Sequence, residues 1–345
     1  MRAVHITAHG GPEVLELVDL PDPEPGPGEV LIRVLGVSLN HLDLWVRRGM
    51  PGFPVAFPRI PGCDATGEIV ALGEGVNGLS GGQKVVLEPG YNADLESAEV
   101  LRGEDHRAAD YEIRGEHCNG FDAELVLLPA RYLMPLPDGL DPVQAAAAPL
   151  VFLTAWGALM ERAKLRAGET ALILGAGSGV GSAGIQIAKH EGARVIATGG
   201  DERKRALALE LGADEVVDHR DPNWGKQIRA LTDGAGVDVI FEHIGPATWA
   251  TSLKVLGRNG RLVTCGGTTG PKVDVILPHL FIKNQTLMGS TMGPRSALPT
   301  IFERLAAGTY KPVVDRVMGL SEVREAHQLL EDRAVVGKLV LVPGQ

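Results

Sequence analysis

Residues 170–189 read TALILGAGSGVGSAGIQIAK, and few folds accommodate that order. The apolar run Ala171 to Leu174 is short enough for a buried strand. The Gly/Ser/Ala segment after it strips the backbone of side chains, and from Val180 the spacing becomes helical. A strand, a tight glycine turn and a helix bring backbone N–H groups and the positive end of a helix dipole against an anion, and a pyrophosphate is the expected guest. A strict G-x-G-x-x-G does not fit, because Val180 and Ser182 stand where its third glycine belongs. Instead Gly175, Gly177, Gly179 and Gly181 alternate, with Ser178 and Val180 between them. The same turn also suits a close-packed strand-to-helix junction without a ligand.

From about Val151 the chain alternates strand and helix. Short apolar strands are predicted at 171–174, 193–198, 215–217, 237–242, 260–265 and 285–290, and helices follow the turn and cover 203–213, 223–232 and 247–256. Six such strands joined through helical crossovers require a parallel, doubly wound sheet with a ligand crevice at the strand C-termini. The first third is β-rich instead, with short strands between Pro/Gly clusters such as PDPEPGPG at 21–28, as in a small barrel-like domain. One helix interrupts it at 41–48, with Asn40 able to cap it and Gly49 to stop it. In the tail, a helix at 296–307, a strand at 312–318, a helix capped by Ser321 and a strand at 338–342 are too few for a third domain. They are expected to complete the first. The chain is therefore read as α/β, with residues 1–151 and 291–345 forming one domain and 152–290 an inserted nucleotide-binding domain.

Among 345 residues 44% are hydrophobic, enough for two cores. The net charge of −10 has no basic cluster to track a nucleic-acid backbone, which argues against DNA or RNA. Three distant cysteines, Cys63, Cys118 and Cys265, point to a reduced, cytoplasmic protein. No stretch reads as a signal peptide or membrane span, so no membrane partner is expected.

NHLDLWVRRG at 40–49, PGCDATGEIVALGEGV at 61–76, TAW at 154–156, the glycine turn, LGADEVVD at 211–218 and GKLVL at 337–341 together resemble the medium-chain dehydrogenase/reductase superfamily. Its quinone oxidoreductase-like and alcohol dehydrogenase-like bacterial branches are the most similar. The resemblance implies a GroES-like β-barrel catalytic domain, an inserted Rossmann domain, and homodimers or homotetramers formed through an edge strand around Leu287 to Thr291. Zinc-dependent members bind catalytic zinc through Cys, His or carboxylate, and Cys. The corresponding places carry Ser38, Cys63 with Asp64, and Leu150, so no catalytic zinc is expected. The structural zinc pattern C-x2-C-x2-C-x7-C falls on Asn92, Leu95, Ala98 and His106. The fold of the polar segment Tyr91 to Cys118 is left open, and His106, His117 and Cys118 are read as surface histidines and a quiet thiol.

NAD-binding domains place a carboxylate at the end of the second strand, against the ribose 2′-hydroxyl. Here that strand ends in Thr198, Gly199 and Gly200, and Arg203, Lys204 and Arg205 follow, which favours NADP(H) over NAD(H). Asp201 either caps the next helix or turns toward a ribose. Asn40 matches the asparagine of the zinc-independent branch and is expected to donate to the oxygen that gains charge during hydride transfer, or else only to cap its helix. Asp43 either positions Asn40 or a water or is solvated, and Thr154 resembles the position beside the nicotinamide. Glu242 with His243, and Cys265 with Gly266 and Gly267, end sheet strands and should face the crevice, with His243 a proton source or a structural histidine. The implied activity is zinc-independent reduction of a quinone or an α,β-unsaturated carbonyl. Alternatives are an alcohol dehydrogenase and an NADPH-binding protein with little turnover.

Overall fold

A computed structural model describes residues 1–50 and 52–344; Pro51 and Gln345, both inside the range expected for the first domain, lie outside the described residues. One compact unit contains Met1–Leu150 with Leu298 onward, and a second contains Val151–Ala297.

The second unit is built on six parallel strands in the order Glu215–Val217, Arg194–Thr198, Thr170–Ile173, Val237–Glu242, Leu256–Thr264 and Thr286–Gly289. Leu172, Ile196 and Ile240 are fully buried, as apolar strands covered on both faces must be. The order reverses beside Thr170–Ile173, the first strand, which makes its C-terminal end the switch point where such sheets bind ligands. The strand expected at 260–265 starts earlier, at Leu256, because Leu256 pairs with Val237 across a bulge.

In the first unit a sheet runs in the order Val314–Gly319, Lys338–Val342, Glu29–Ser38, Asp64–Leu72, Lys84–Leu87 and Leu133–Pro135, and Leu125–Pro129 also pairs with Glu29–Ser38. Two tail strands thus enter the sheet of the N-terminal residues, and Met318, Leu339 and Leu341 share a core with Val30, Ile32 and Leu87. The register matters for chemistry. Ser38 lies opposite Asp64 on one side and Val340 on the other, so three strand ends converge. Ser321 does not cap the tail helix. Residues Leu320–Glu322 form a 3-10 turn, the Glu322 carboxylate accepts the Gly319 N–H at 2.6 Å, and the α-helix covers Val323–Glu331.

Residues Pro142–Arg162 form a helical run with no counterpart among the helices predicted from the sequence. It is long and apolar enough to cross a membrane by composition, but 78% of its most apolar window is buried inside the protein, as in a core helix.

Candidate functional site

In the first unit the chain leaves strand Glu29–Ser38 through Asn40 and enters the helix His41–Arg48. The Asn40 side chain does not cap that helix. Asp43 reaches back instead, one carboxylate oxygen accepting the Asn40 backbone N–H at 2.7 Å and the other the Gly62 N–H at 3.2 Å. The Asn40 amide turns inward, donating to Asp64 Oδ2 at 2.9 Å and lying 3.3 Å from both the Ser38 carbonyl and Cys63 Sγ.

Lys338, first residue of the last strand, donates to Asn40 Oδ1 and, at 3.2 Å, to Asp64 Oδ2. The other Asp64 oxygen accepts the Leu150 N–H at 2.6 Å. Asp64 is 0%, Lys338 4% and Asn40 6% exposed, so these bonds are made away from water. The Ser38 hydroxyl is buried without a partner among the described residues. Asn40, rather than Ser38, presents its side chain to Cys63 and Asp64.

Burial controls the charges around this centre. Desolvation foremost raises Asp43 to about 6, opposed by the Asn40 and Gly62 N–H groups and by Lys338. Cys63 is pushed well above the usual thiol range, first by burial and then by Asp43 and Asp64. Beside Gly62, Asp122 is driven up by burial and by Asp43, with Oδ1 unpartnered among the described residues. Glu116 rises to about 7 for the same two reasons. Lys338 brings the compensating positive charge. No group of three or more His, Cys, Asp or Glu side chains suited to a metal occurs among the described residues.

In the second unit the glycine turn has the geometry its sequence requires. Gly175 adopts φ +61°, and a Cβ at Gly181 would overlap the Gly175 carbonyl oxygen. Ser178 caps the helix Gly179–His190, accepting the Gly181 N–H at 3.0 Å and donating to the Gly175 carbonyl at 2.8 Å. First-turn N–H groups of a helix lack intrahelical partners, so Gly179 and Val180 begin a terminus suited to an anion. Gly177 is covered by the Lys204 stem. Thr198 Oγ1 accepts the Gly175 N–H at 3.1 Å, tying the turn to the second strand.

His243 is a strut behind this turn. Its Nε2 lies 2.8 Å from the Leu174 carbonyl, and burial pulls its pKa down, so it is held neutral. Asp201 caps the helix Glu202–Glu210 by accepting the Lys204 N–H at 2.9 Å, and it also pairs with Lys204 Nζ at 3.1 Å. Arg205 binds the Gly199 carbonyl and Asp218, both at 3.1 Å, and Arg220 shares Asp218. Arg203 lies on the same helix. Cys265, its thiol raised to about 12 by burial, and Gly266 follow strand Leu256–Thr264. Thr154 Oγ1 lies 3.6 Å from Met292 Sδ.

Lys338 escaped sequence reasoning, although the GK that opens the last strand is a local signal for it. Glu242, expected with His243 at a strand end facing the crevice, has its buried carboxylate taken up by the Ile244 and Gly245 N–H groups and the Thr248 and Ser252 hydroxyls, which stiffens the strand end that carries His243.

Family comparisons agree with this architecture. Residues 26–138 match the alcohol dehydrogenase GroES-like domain and residues 179–307 the zinc-binding dehydrogenase family. The chain is 31% identical to a quinone oxidoreductase of Pseudomonas aeruginosa over 99% of each protein. It superposes on an NAD-dependent alcohol dehydrogenase with TM-score 0.95 and 44% identity, over 99% of each chain. A cobalt- and zinc-bound thermostable alcohol dehydrogenase from Pyrobaculum aerophilum gives TM-score 0.89 and 32% identity, also over 99% of each chain.

Proposed function

The chain belongs to the medium-chain dehydrogenase/reductase superfamily of NAD(P)-dependent oxidoreductases, and from that premise we propose that it is a zinc-independent, NADPH-preferring reductase of quinones or α,β-unsaturated carbonyl compounds. It is proposed to work in the cytoplasm. The observation that carries this reading is the donor set of the buried centre. A catalytic zinc takes three protein donors and keeps one open position. Leu150 offers no ligand, and the two side-chain oxygens beside Cys63, Asn40 Oδ1 and Asp64 Oδ2, are both taken by the Lys338 ammonium. These residues do not fit the metal. The quinone oxidoreductase of Pseudomonas aeruginosa suggests an acceptor needing less polarisation than a simple ketone.

A dihydronicotinamide bound in the second unit would supply the hydride for the acceptor carbon, with the accompanying proton drawn from solvent. In this reading the glycine turn from Gly175 to Gly181 holds the pyrophosphate, and Thr154 packs beside the nicotinamide. Asn40 is the donor to the acceptor oxygen. One of its two amide protons is held by Asp64 at 2.9 Å, whereas the other is shared between the Ser38 carbonyl and Cys63 Sγ, both at 3.3 Å, and is the one that would exchange to the acceptor oxygen. Asp43 holds the Asn40 backbone in place. For the cofactor, the second strand ends without a carboxylate, Asp201 is engaged as a helix cap, and Lys204, Arg205 and Arg220 lie against Gly199 and Gly200 just past the strand end, with Arg203 on the helix that follows.

A second reading, an NAD-dependent alcohol dehydrogenase, is favoured by the 44% identical structure of that description. NADPH and NADH oxidation with benzoquinone, an enal and a simple aldehyde, and NAD(P)+ reduction with alcohols, separate the two. Faster NADPH oxidation with benzoquinone or the enal is expected; turnover confined to alcohols and NAD+ establishes the second reading. Nucleotide binding with no turnover overturns both. Asn40→Ala is expected to lower turnover by ~10²-fold with nucleotide binding retained, and an unchanged rate removes Asn40 from the reaction.

A further inference from the structure

We propose that the Lys338 ammonium is the resident cation of the centre formed by Asn40, Cys63 and Asp64, and that it bars a divalent metal from that place. The inference rests on the zinc-independent part of the reading above and names the residue responsible for it.

The backbone leaves Lys338 little choice of position. Gly337 has φ +93°, a Cβ there would overlap the Val313 carbonyl, and the Lys338 N–H donates to that same carbonyl at 2.8 Å. Two residues later Val340 pairs with Ser38, the residue opposite Asp64, so the strand delivers Lys338 to the end of its neighbours. From there the side chain runs inward, and its ammonium takes Asn40 Oδ1 and Asp64 Oδ2. Those are the side-chain oxygens that a metal beside Cys63 would need. A divalent ion bound to Asp64 would also stand within a few ångströms of a fixed positive charge in a site with little water, where like charges repel strongly. Asp64 is fully buried and needs one cation; Lys338 supplies it from within the chain.

Full-length wild type, Lys338→Ala, Lys338→Arg, and Lys338→Ala combined with Asp64→Asn are dialysed against Co2+ or Zn2+, washed and counted for bound metal. Wild type and Lys338→Arg are expected to retain no stoichiometric metal. Lys338→Ala should retain about one ion per chain, with a visible Co2+–thiolate band lost on adding Cys63→Ser, and the Asp64→Asn combination should retain none. If Lys338→Ala does not fold alone, it is refolded with Co2+; recovery of the folded chain only with metal supports the proposal. Stoichiometric metal in the wild type overturns it, as does a Lys338→Ala chain that folds and binds none or that refolds in neither condition. Reductase assays that fail leave these counts unchanged, whereas metal in the wild type ends both the inference and the zinc-independent reading.

Discussion

Burial foremost, and then the nearby Asp43 charge, raises the Glu116 carboxyl to about 7 in the folded protein. The folded-state value lies above the ordinary 4.5, so the native state binds the proton more tightly than the unfolded chain. Its stabilising contribution is complete below about pH 4.5 and is lost as pH rises through about 7. Glu116→Gln cannot titrate, and thermal midpoints measured from pH 5 to pH 8 should therefore fall less for the variant than for wild type. The gap between the two profiles corresponds to about 2 kcal/mol across that window. Parallel profiles would assign the pH dependence to other groups. Gly181 makes a different kind of demand, because any side chain there meets the Gly175 carbonyl. Gly181→Ala is expected to displace the turn, lower stability by about 2 kcal/mol and weaken NADPH binding at least tenfold in a fluorescence titration. Native affinity in that variant would separate the turn from the cofactor.

At the scale of elements, the segment from Tyr91 to Cys118 is organised on an antiparallel pair of short strands, Gly90–Asn92 and Tyr111–Ile113. Asn92, at the first position of the zinc pattern, is buried and bonds the Asp105 carbonyl at 3.2 Å and Asp110 at 3.3 Å, and its backbone exchanges hydrogen bonds with the Tyr132 hydroxyl. The Arg114 guanidinium lies 4.9 Å from the Tyr91 ring centre and 5.4 Å from that of Tyr132, clamping the strand pair to the sheet. Arg114→Ala should open this lobe, giving faster limited proteolysis between residues 93 and 118 and a loss of ~1–2 kcal/mol, with Lys a poor replacement because it cannot stack flat on both rings. Unchanged proteolysis would locate the clamp elsewhere. Strands of three residues closed by a distant tyrosine carry no periodicity, which is why this lobe could not be read from the chain. The opposite holds for residues 170–189, where strand, glycine spacing and helix are all local, and for the helix His41–Arg48, whose bounds were read correctly. Asn40 is the instructive intermediate. Its local propensity is to cap, but Lys338, 298 positions away, takes its side-chain oxygen, and the long-range partner wins.

For the molecule as a whole, the sheet of the second unit ends in Thr286–Gly289, whose outer edge has no strand partner among the described residues. Such edges invite pairing unless something covers them. Just before it, Val273, Val275, Ile276, Leu277, Phe281 and Ile282 are exposed, Leu277 by 64% and Phe281 by 66%. Exposed apolar residues gathered this way next to an open strand edge are characteristic of a surface covered by another chain. The expected occupant is a second copy, its edge strand laid against this one across a two-fold axis so that the two sheets become continuous. Light scattering on the eluting protein should then give twice or four times the chain mass. Phe281→Asp places a charge among these exposed apolar residues, so it should shift the mass toward a single chain while NADPH binding persists. A wild type that elutes as one chain at micromolar concentration would leave this surface for a different partner.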